Sequence, residues 1–389
     1  MSDPVLFEEL PCENGMRLGV ATLNAPQTLN SLSLAMCEQL AARLQTWAQD
    51  PAVAVVVLAG AGGKAFCAGG DLHGLYRSMR ENAAREPLAN DYAQSFFATE
   101  YRLDYDIHAY PKPVLCWGHG IVMGGGIGLM AGASHRVVSE TSRLAMPEIS
   151  IGLFPDVGGS WLLNRLPGRS GLFLALTGAQ LNAGDALFAG LADYQIASAD
   201  WPALLAELQA QPWTGNGDYT VAARGTNDGL LERALRARAP AEEAVPGPLR
   251  QHLMLINALC SGNDLAQICE EIATLRGHAD PWLAKAADTL AAGAPGSARL
   301  AFALQQRARL MSLAEVFRLE YWAALMCASQ GDFAEGIRAL LIDKDRKPSW
   351  RPATLAQADE QWVQPFLQPP WGLDGGPLAG LENGKRAVG

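Results

Sequence analysis

The run VAVVVLAG at 53–60 is apolar at every position before its closing glycine and rich in β-branched residues. This pattern predicts a strand buried on both faces. Just upstream, Cys37, Leu40, Leu44 and Trp47 recur at helical spacing, which predicts an amphipathic helix packed against that strand. Residues 114–117 form a second apolar strand candidate, followed by a glycine-rich turn, and 135–139 a short third one. The first 200 residues therefore have an α/β texture. Composition shifts near Asp200. Residues 214–250 are rich in Gly, Ala, Pro and Arg and predict a loosely packed connection or insertion. Helical patterns dominate afterwards, most clearly where Ser312 precedes Glu315 by three residues, the capping-box signature ahead of Val316, Leu319 and Ala323. Beyond Trp371 the Pro- and Gly-rich tail is expected to fray. The chain thus divides into a core at 1–200, a partly helical connecting segment at 201–290, a helical C-terminal region at 291–365 and a tail at 366–389. No internal repeat of fixed period is present.

Composition narrows the function. With 389 residues and 49% hydrophobic positions, the chain can bury a substantial core. Its net charge is −10 and its Lys and Arg are scattered, which argues against a nucleic-acid groove. The seven cysteines include no C-x-x-C pair, so neither a disulfide framework nor a zinc site is expected, and a reducing cytoplasm is the simplest location. The N-terminus, MSDPVLFEEL, has neither an apolar core nor an Arg-rich transit pattern. Residues 113–133 lack Asp, Glu, Lys and Arg, but their seven glycines and His119 suit a buried strand–loop–helix better than a membrane span.

Three stretches carry candidate chemistry. In GHGIVMGGGIG (118–128), the segment from Gly126 to Ala131 matches G-x-G-x-x-A, the dinucleotide fingerprint. The acidic residue this fingerprint needs about 20 positions on is missing, since Glu140 comes too early. Close helix–sheet packing uses glycine for the same steric reason. Consecutive glycines before a helix also let a ligand approach bare backbone, whose first N–H groups are unpaired and can stabilise negative charge developing on an oxygen. GAGGKAFCAGGDL (60–72) fails the Walker spacing because Ala65 follows Lys64. It too bares backbone at Gly69 and Gly70, and Asp71 is placed to cap the following helix. Cys67 lacks a basic partner nearby in sequence, and His119 reads as a packed structural residue. No G-x-S-x-G elbow occurs. The third stretch, MPEISIGLFPDVGG (146–159), sets Glu148 and Asp156 among apolar residues. A carboxylate in such surroundings costs several kcal/mol unless it is paired, protonated or used.

KAFCAGGDL, HGIVMGGGIGL and MPEISIGLFPDVGG together resemble the crotonase, or enoyl-CoA hydratase/isomerase, superfamily, and NAPQTLNSLS (24–33) resembles its N-terminal signature. The resemblance implies an α/β fold, a crotonase-like spiral of ββα units followed by a helical C-terminal region. It implies an acyl-CoA thioester as substrate, with the N–H groups of Gly70 and Gly125 holding the carbonyl oxygen and Gly69, Asp71 and Gly124 beside them. Hydratases of the superfamily carry a glutamate three residues after the middle glycine; here that place is Gly128, so two-glutamate hydration is disfavoured. Glu148 with Asp156 is similar instead to the 3-hydroxyisobutyryl-CoA hydrolase branch, thioesterases of valine breakdown. FFATEYRLD (96–104), in which Glu100 matches a residue lining the substrate site, and residues 312–350 resemble the same branch. The likeness covers roughly 20–190 and 294–352.

That branch implies hydrolysis of a short-chain 3-hydroxyacyl-CoA without a metal, and with no cofactor beyond the CoA of the substrate. Glu148 is either nucleophile or general base, and Asp156 orients water or the substrate hydroxyl and shuttles a proton. Two such acids in an apolar pocket are expected to titrate apart. Lys64 and the cluster Lys344, Arg346 and Lys347 are candidates for CoA phosphate contacts, although a solvated basic face fits the cluster as well. Backbone groups at 30–32 are assigned to the adenine end by resemblance alone. Two rival readings are an enoyl-CoA isomerase using Glu148 alone and a non-catalytic acyl-CoA-binding protein. The oligomer stays open: related folds form trimers or hexamers, and a long C-terminal region can cover the same apolar face.

Overall fold

A computed structural model describes residues 3–82, 85–215, 221–240, 245–372 and 375–381. Strands β1 (Val5–Pro11) and β2 (Arg17–Leu23) form an antiparallel hairpin, and β2 then pairs in parallel with β3 (Val53–Gly60). Between them runs α1 (Leu34–Gln49), which buries Cys37, Leu40, Leu44 and Trp47, the face read from their spacing, and Met36 beside them. Three strand–strand–helix units follow. β3 leads to β4 (Ala65–Cys67) and then to α2 (Leu72–Glu81) and α3 (Asp91–His108). β5 (Val114–Gly118) leads to β6 (Ile121–Met123) and α4 (Gly125–Gly132). β7 (His135–Val138) leads to β8 (Arg143–Ala145), a short 3-10 turn at Glu148–Ile151 and α5 (Gly159–Leu163). The first strand of each unit joins a six-stranded sheet ordered β1-β2-β3-β5-β7-β9, closed by β9 (Tyr194–Gln195), and the second joins a three-stranded sheet ordered β4-β6-β8. This is the expected spiral.

The large sheet is buried on both faces. Val56 and Leu58 of β3 face the main core, whereas Val55, Val57 and Ala59 face a second cluster. That second cluster corrects the expectation for 214–250. Val221–Arg238 is helical, and its Leu230, Leu231, Ala234 and Leu235 pack on the outer face of the sheet with Leu204 and Leu208. Arg and Gly on the rest of the helix mask this stripe in the sequence. Residues 216–220 and 241–244 lie outside the described part.

The C-terminal region is helical as expected. Ser312 caps Leu313–Gln330 in a complete capping box with Glu315, and fourteen of that helix's residues are buried. The tail departs from its expectation: Leu378 and Leu381 are buried, and Arg102 donates to the Pro377 carbonyl at 3.0 Å. Residues 382–389 are outside the described part. No helix among the described residues is long and apolar enough to cross a membrane.

Candidate active site

The three ββα units deliver their ends to one cavity of about 680 Å³. The turn after β4 contributes Gly69, Gly70 and Asp71, the turn after β6 contributes Gly124 and Gly125, and the turn after β8 contributes Glu148 and, farther on, Asp156. Glu100 reaches in from α3 beside Phe96 and Phe97. From the C-terminal region, Phe333, Leu340 and Leu341 close one side. Glu148, Asp156, Glu100, Gly69, Gly70, Asp71, Gly124 and Gly125 thus meet at one place, and the cluster Lys344, Arg346 and Lys347 is not part of the lining. Neither is Lys64, which is exposed on the turn before β4.

The two glycine turns touch. A Cβ on Gly69 would lie 3.4 Å from the Met123 carbonyl oxygen and 3.9 Å from the Gly125 nitrogen. Leu32 ties the first turn down, donating its N–H to the Gly69 carbonyl at 2.8 Å and accepting from Asp71 N at 2.8 Å. The Asp71 side chain accepts from His73 and Gly74 N–H, both at 3.1 Å, and so caps α2. Buried Asn30 ties its own loop to the β3–β4 turn, accepting from Ala25 N and donating to the Ala61 and Ala65 carbonyls. Its side chain is therefore spent on structure. The N–H groups of Gly70 and Gly125 donate to no acceptor among the described residues, and both glycines line the cavity. The second of them begins α4, where helix-start N–H groups are free for a ligand oxygen.

Burial controls the acids. Glu148 and Asp156 are each 5% exposed, and Glu100 and Asp104 2%. Burial pushes the Glu148 carboxyl well above its ordinary range, with nearby Asp156 and Glu100 adding to the shift. Glu100 is raised in the same way by burial and then by Asp156. Asp156 is raised only to about 6, because the Tyr101 hydroxyl, donating to its Oδ2 at 2.7 Å, offsets part of the burial. Cys67 is raised to about 12 by burial, which leaves it inert as a nucleophile. His119 donates from Nε2 to the Gly62 carbonyl at 2.8 Å and stays outside the cavity lining.

Two buried acids were missed in the sequence. Asp104 lies against Gly128: a Cβ there would sit 2.6 Å from Asp104 Oδ2 and 2.8 Å from Val157 Cβ. The place where a hydratase carries its second glutamate is therefore filled by a carboxyl from α3. The signal was the i, i+4 pair Glu100 and Asp104 on the apolar face of α3. Gly126 packs on the Cys67 backbone, so the G-x-G-x-x-A match reflects close packing. The second missed acid, Glu320, is fully buried on the helix Leu313–Gln330, where burial raises it to about 8 against the opposing hydrogen bonds.

Asp104 offers a direct test of this electrostatics. Neither of its oxygens has a hydrogen-bond partner, and burial, then Glu100, Asp156 and Glu320, raise it well above the ordinary carboxylate range. A group raised in the folded state gives stability below its unfolded pKa and loses it as pH climbs toward the folded value. Asp104→Asn cannot ionise. It should match the wild type near pH 4 and gain as pH rises, by up to about 1.4 kcal/mol for each pH unit until Asp104 ionises. Urea unfolding at pH 4 and pH 8 checks this, and an equal difference at both pH values contradicts it.

Residues 18–367 match the enoyl-CoA hydratase/isomerase family. The chain belongs to that family. Within this family it groups with the 3-hydroxyisobutyryl-CoA hydrolases. It is 37% identical over 345 residues to the mitochondrial 3-hydroxyisobutyryl-CoA hydrolase of Xenopus laevis, covering 89% of this chain and 85% of that one. It is 38% identical over 364 residues to the Mus musculus protein of the same name, covering 94% and 88%. A crystal structure of an enoyl-CoA hydratase from Rhodobacter sphaeroides 2.4.1 superposes with a TM-score of 0.79 at 35% identity, over 95% of this chain and 99% of that one.

Proposed function

We propose that this chain hydrolyses the thioester of a short-chain 3-hydroxyacyl-CoA, foremost 3-hydroxyisobutyryl-CoA, to the free acid and CoA. The observation that carries the reading is a single cavity lined by Gly70 and Gly125, whose N–H groups are unpaired among the described residues, together with Glu148 and Asp156. The thioester oxygen accepts from both N–H groups as charge develops on it; losing one such donor raises a barrier by about 3–4 kcal/mol. Two routes are open to Glu148. It attacks the carbonyl carbon to form an anhydride that water then opens, or it takes a proton from the attacking water. In both, the C–S bond breaks, the thiolate takes up a proton, and water supplies the hydroxyl of the acid. Asp156, held by Tyr101, orients the water or the substrate hydroxyl and passes the proton. Phe96, Phe97 and Leu75 keep bulk water away from the acids.

For the CoA arm the cavity offers backbone near Gln27, Thr28 and Ser31. The basic loop with Lys344, Arg346 and Lys347 follows Leu340 and Leu341 in sequence and is pinned by Arg338 to Asp343 at 2.6 Å and Asp345 at 2.8 Å. Its exposed cations fit a contact to phosphate. Cytoplasmic residence is part of the same reading, supported by seven free thiols. The relatives carry "mitochondrial" in their names, and a reducing interior suits both locations.

A thiol-release assay on an acyl-CoA panel tests the function. CoA should appear from 3-hydroxyisobutyryl-CoA, with no double-bond migration in a 3-enoyl-CoA. Migration without CoA release replaces the reading with an isomerase, and binding with neither leaves an acyl-CoA-binding protein.

A further inference from the structure

Asp156 sits on a turn that its own residues do not favour. Val157 has φ 51° and Gly158 φ 80°. A β-branched residue in the left-handed region is an outlier, sustained only where the surroundings over-determine it. One local hydrogen bond closes the turn, from Gly159 N to the Asp156 carbonyl at 2.7 Å. The other constraints come from far away. Glu320 Oε2 accepts from Gly158 N at 2.7 Å, and its Oε1 accepts from Ser160 N at 2.8 Å. The same helix presses on the turn, since a Cβ on Gly158 would lie 3.1 Å from Phe317 Cζ and 3.2 Å from Leu313 Cδ1. Phe317 also packs against Tyr101 at 5.6 Å between ring centroids, and Tyr101 is the residue that holds the Asp156 carboxylate.

Glu320 is costly. It is 0% exposed, and its carboxylate forms no ion pair among the described residues. Burying an acid against two backbone donors is a poor way to stabilise a fold. It is an effective way to fix the two peptide planes on either side of the Gly158–Gly159 peptide, because both oxygens are engaged at once. We propose that Glu320 is a positioning residue: by clamping the N–H groups of Gly158 and Ser160 it holds the Asp156 carboxylate in the cavity, so the C-terminal helical region completes the site. This rests on the hydrolase reading and on the part assigned there to Asp156.

A double-mutant cycle tests it. In Glu320→Gln the amide accepts from one N–H and turns its own NH₂ against the other. The kcat for CoA release should fall about tenfold or more, with KM within about twofold of wild type. Added to Asp156→Asn, the same change should alter kcat by less than about twofold, because the group being positioned is already gone. Ser160→Pro removes the N–H and the hydroxyl of Ser160 within the first turn of α5, leaves Glu320 in place, and should give the same dependence on Asp156. It carries the test if the glutamine variant does not fold. A merely structural Glu320 would lower kcat by the same factor in both backgrounds, and that result, or a loss confined to KM, overturns the proposal. Wild-type enzyme that releases no CoA overturns the hydrolase reading instead, so the two failures are read separately.

Discussion

Glu148→Gln should abolish turnover: kcat for CoA release is expected to fall by about three orders of magnitude, within the usual range for losing a catalytic acid or base. The substitution keeps the volume and shape of the side chain and removes only its ability to carry charge, accept a proton or attack a carbonyl. Little else should change. Glu148 Oε2 has no hydrogen-bond partner, so no internal bond to that atom is lost. Burial already disfavours the ionised form, so a neutral side chain does not weaken the fold. The groups proposed to bind the ester, the cavity wall and the two N–H groups, are untouched. Affinity for a non-hydrolysable thioether analogue of the substrate should therefore stay within about 1–2 kcal/mol of wild type, since the missing interaction is made only in the transition state. Calorimetry with the analogue, beside CoA-release kinetics, checks both halves. Wild-type turnover in this variant would remove Glu148 from its role under either route, nucleophile or base.

What the sequence reveals follows the range of the interaction concerned. β3, α1 and the capping box at Ser312 are set by residues within one or two turns of each other, and the pattern exposes them directly. The same holds for Asp71, which caps the helix it precedes. Glu148 and Asp156 were visible for a different reason: acids in an apolar run conflict with burial, and the conflict itself is local. The partners that resolve it are not. Tyr101 lies 55 positions from Asp156, and Glu320 162 positions from Gly158, so nothing near the acids announces them. Gly128 shows the limit most clearly. Its lack of a carboxylate was plain, but the carboxyl of Asp104 beside it comes from another helix and depends on how α3 and α4 pack. Lys64 stands apart: it is exposed on the turn before β4, whereas the cavity is lined by the turn that follows that strand.

Gly124→Ala should be a strongly damaging single-methyl change in the site. Gly124 adopts φ 49° and ψ −121°, a conformation that residues with a side chain avoid. A Cβ there would lie 3.0 Å from Glu148 Oε1 and 3.6 Å from the Cα of Gly69. The backbone cannot simply rotate to relieve this. The Gly124 carbonyl accepts from Ile127 N at 2.8 Å and Gly128 N at 3.2 Å, which fixes the start of α4. The same peptide unit carries the Gly125 N–H, so turning it to accommodate alanine swings that donor away from the place proposed for the thioester oxygen. If the peptide holds, the methyl group displaces Glu148 instead. Either response misplaces one of the groups on which the chemistry depends, and a shift of about 1 Å costs roughly 100-fold in rate. We expect kcat/KM to fall about 100-fold or more, with about 1–3 kcal/mol lost from stability as backbone strain. Gly63→Ala is the control: a Cβ at that exposed position meets nothing within 4 Å, so it should leave both quantities unchanged. CoA release and thermal unfolding of the two variants decide the matter. Wild-type kcat/KM in Gly124→Ala would mean that the turn after β6 does not hold the thioester oxygen.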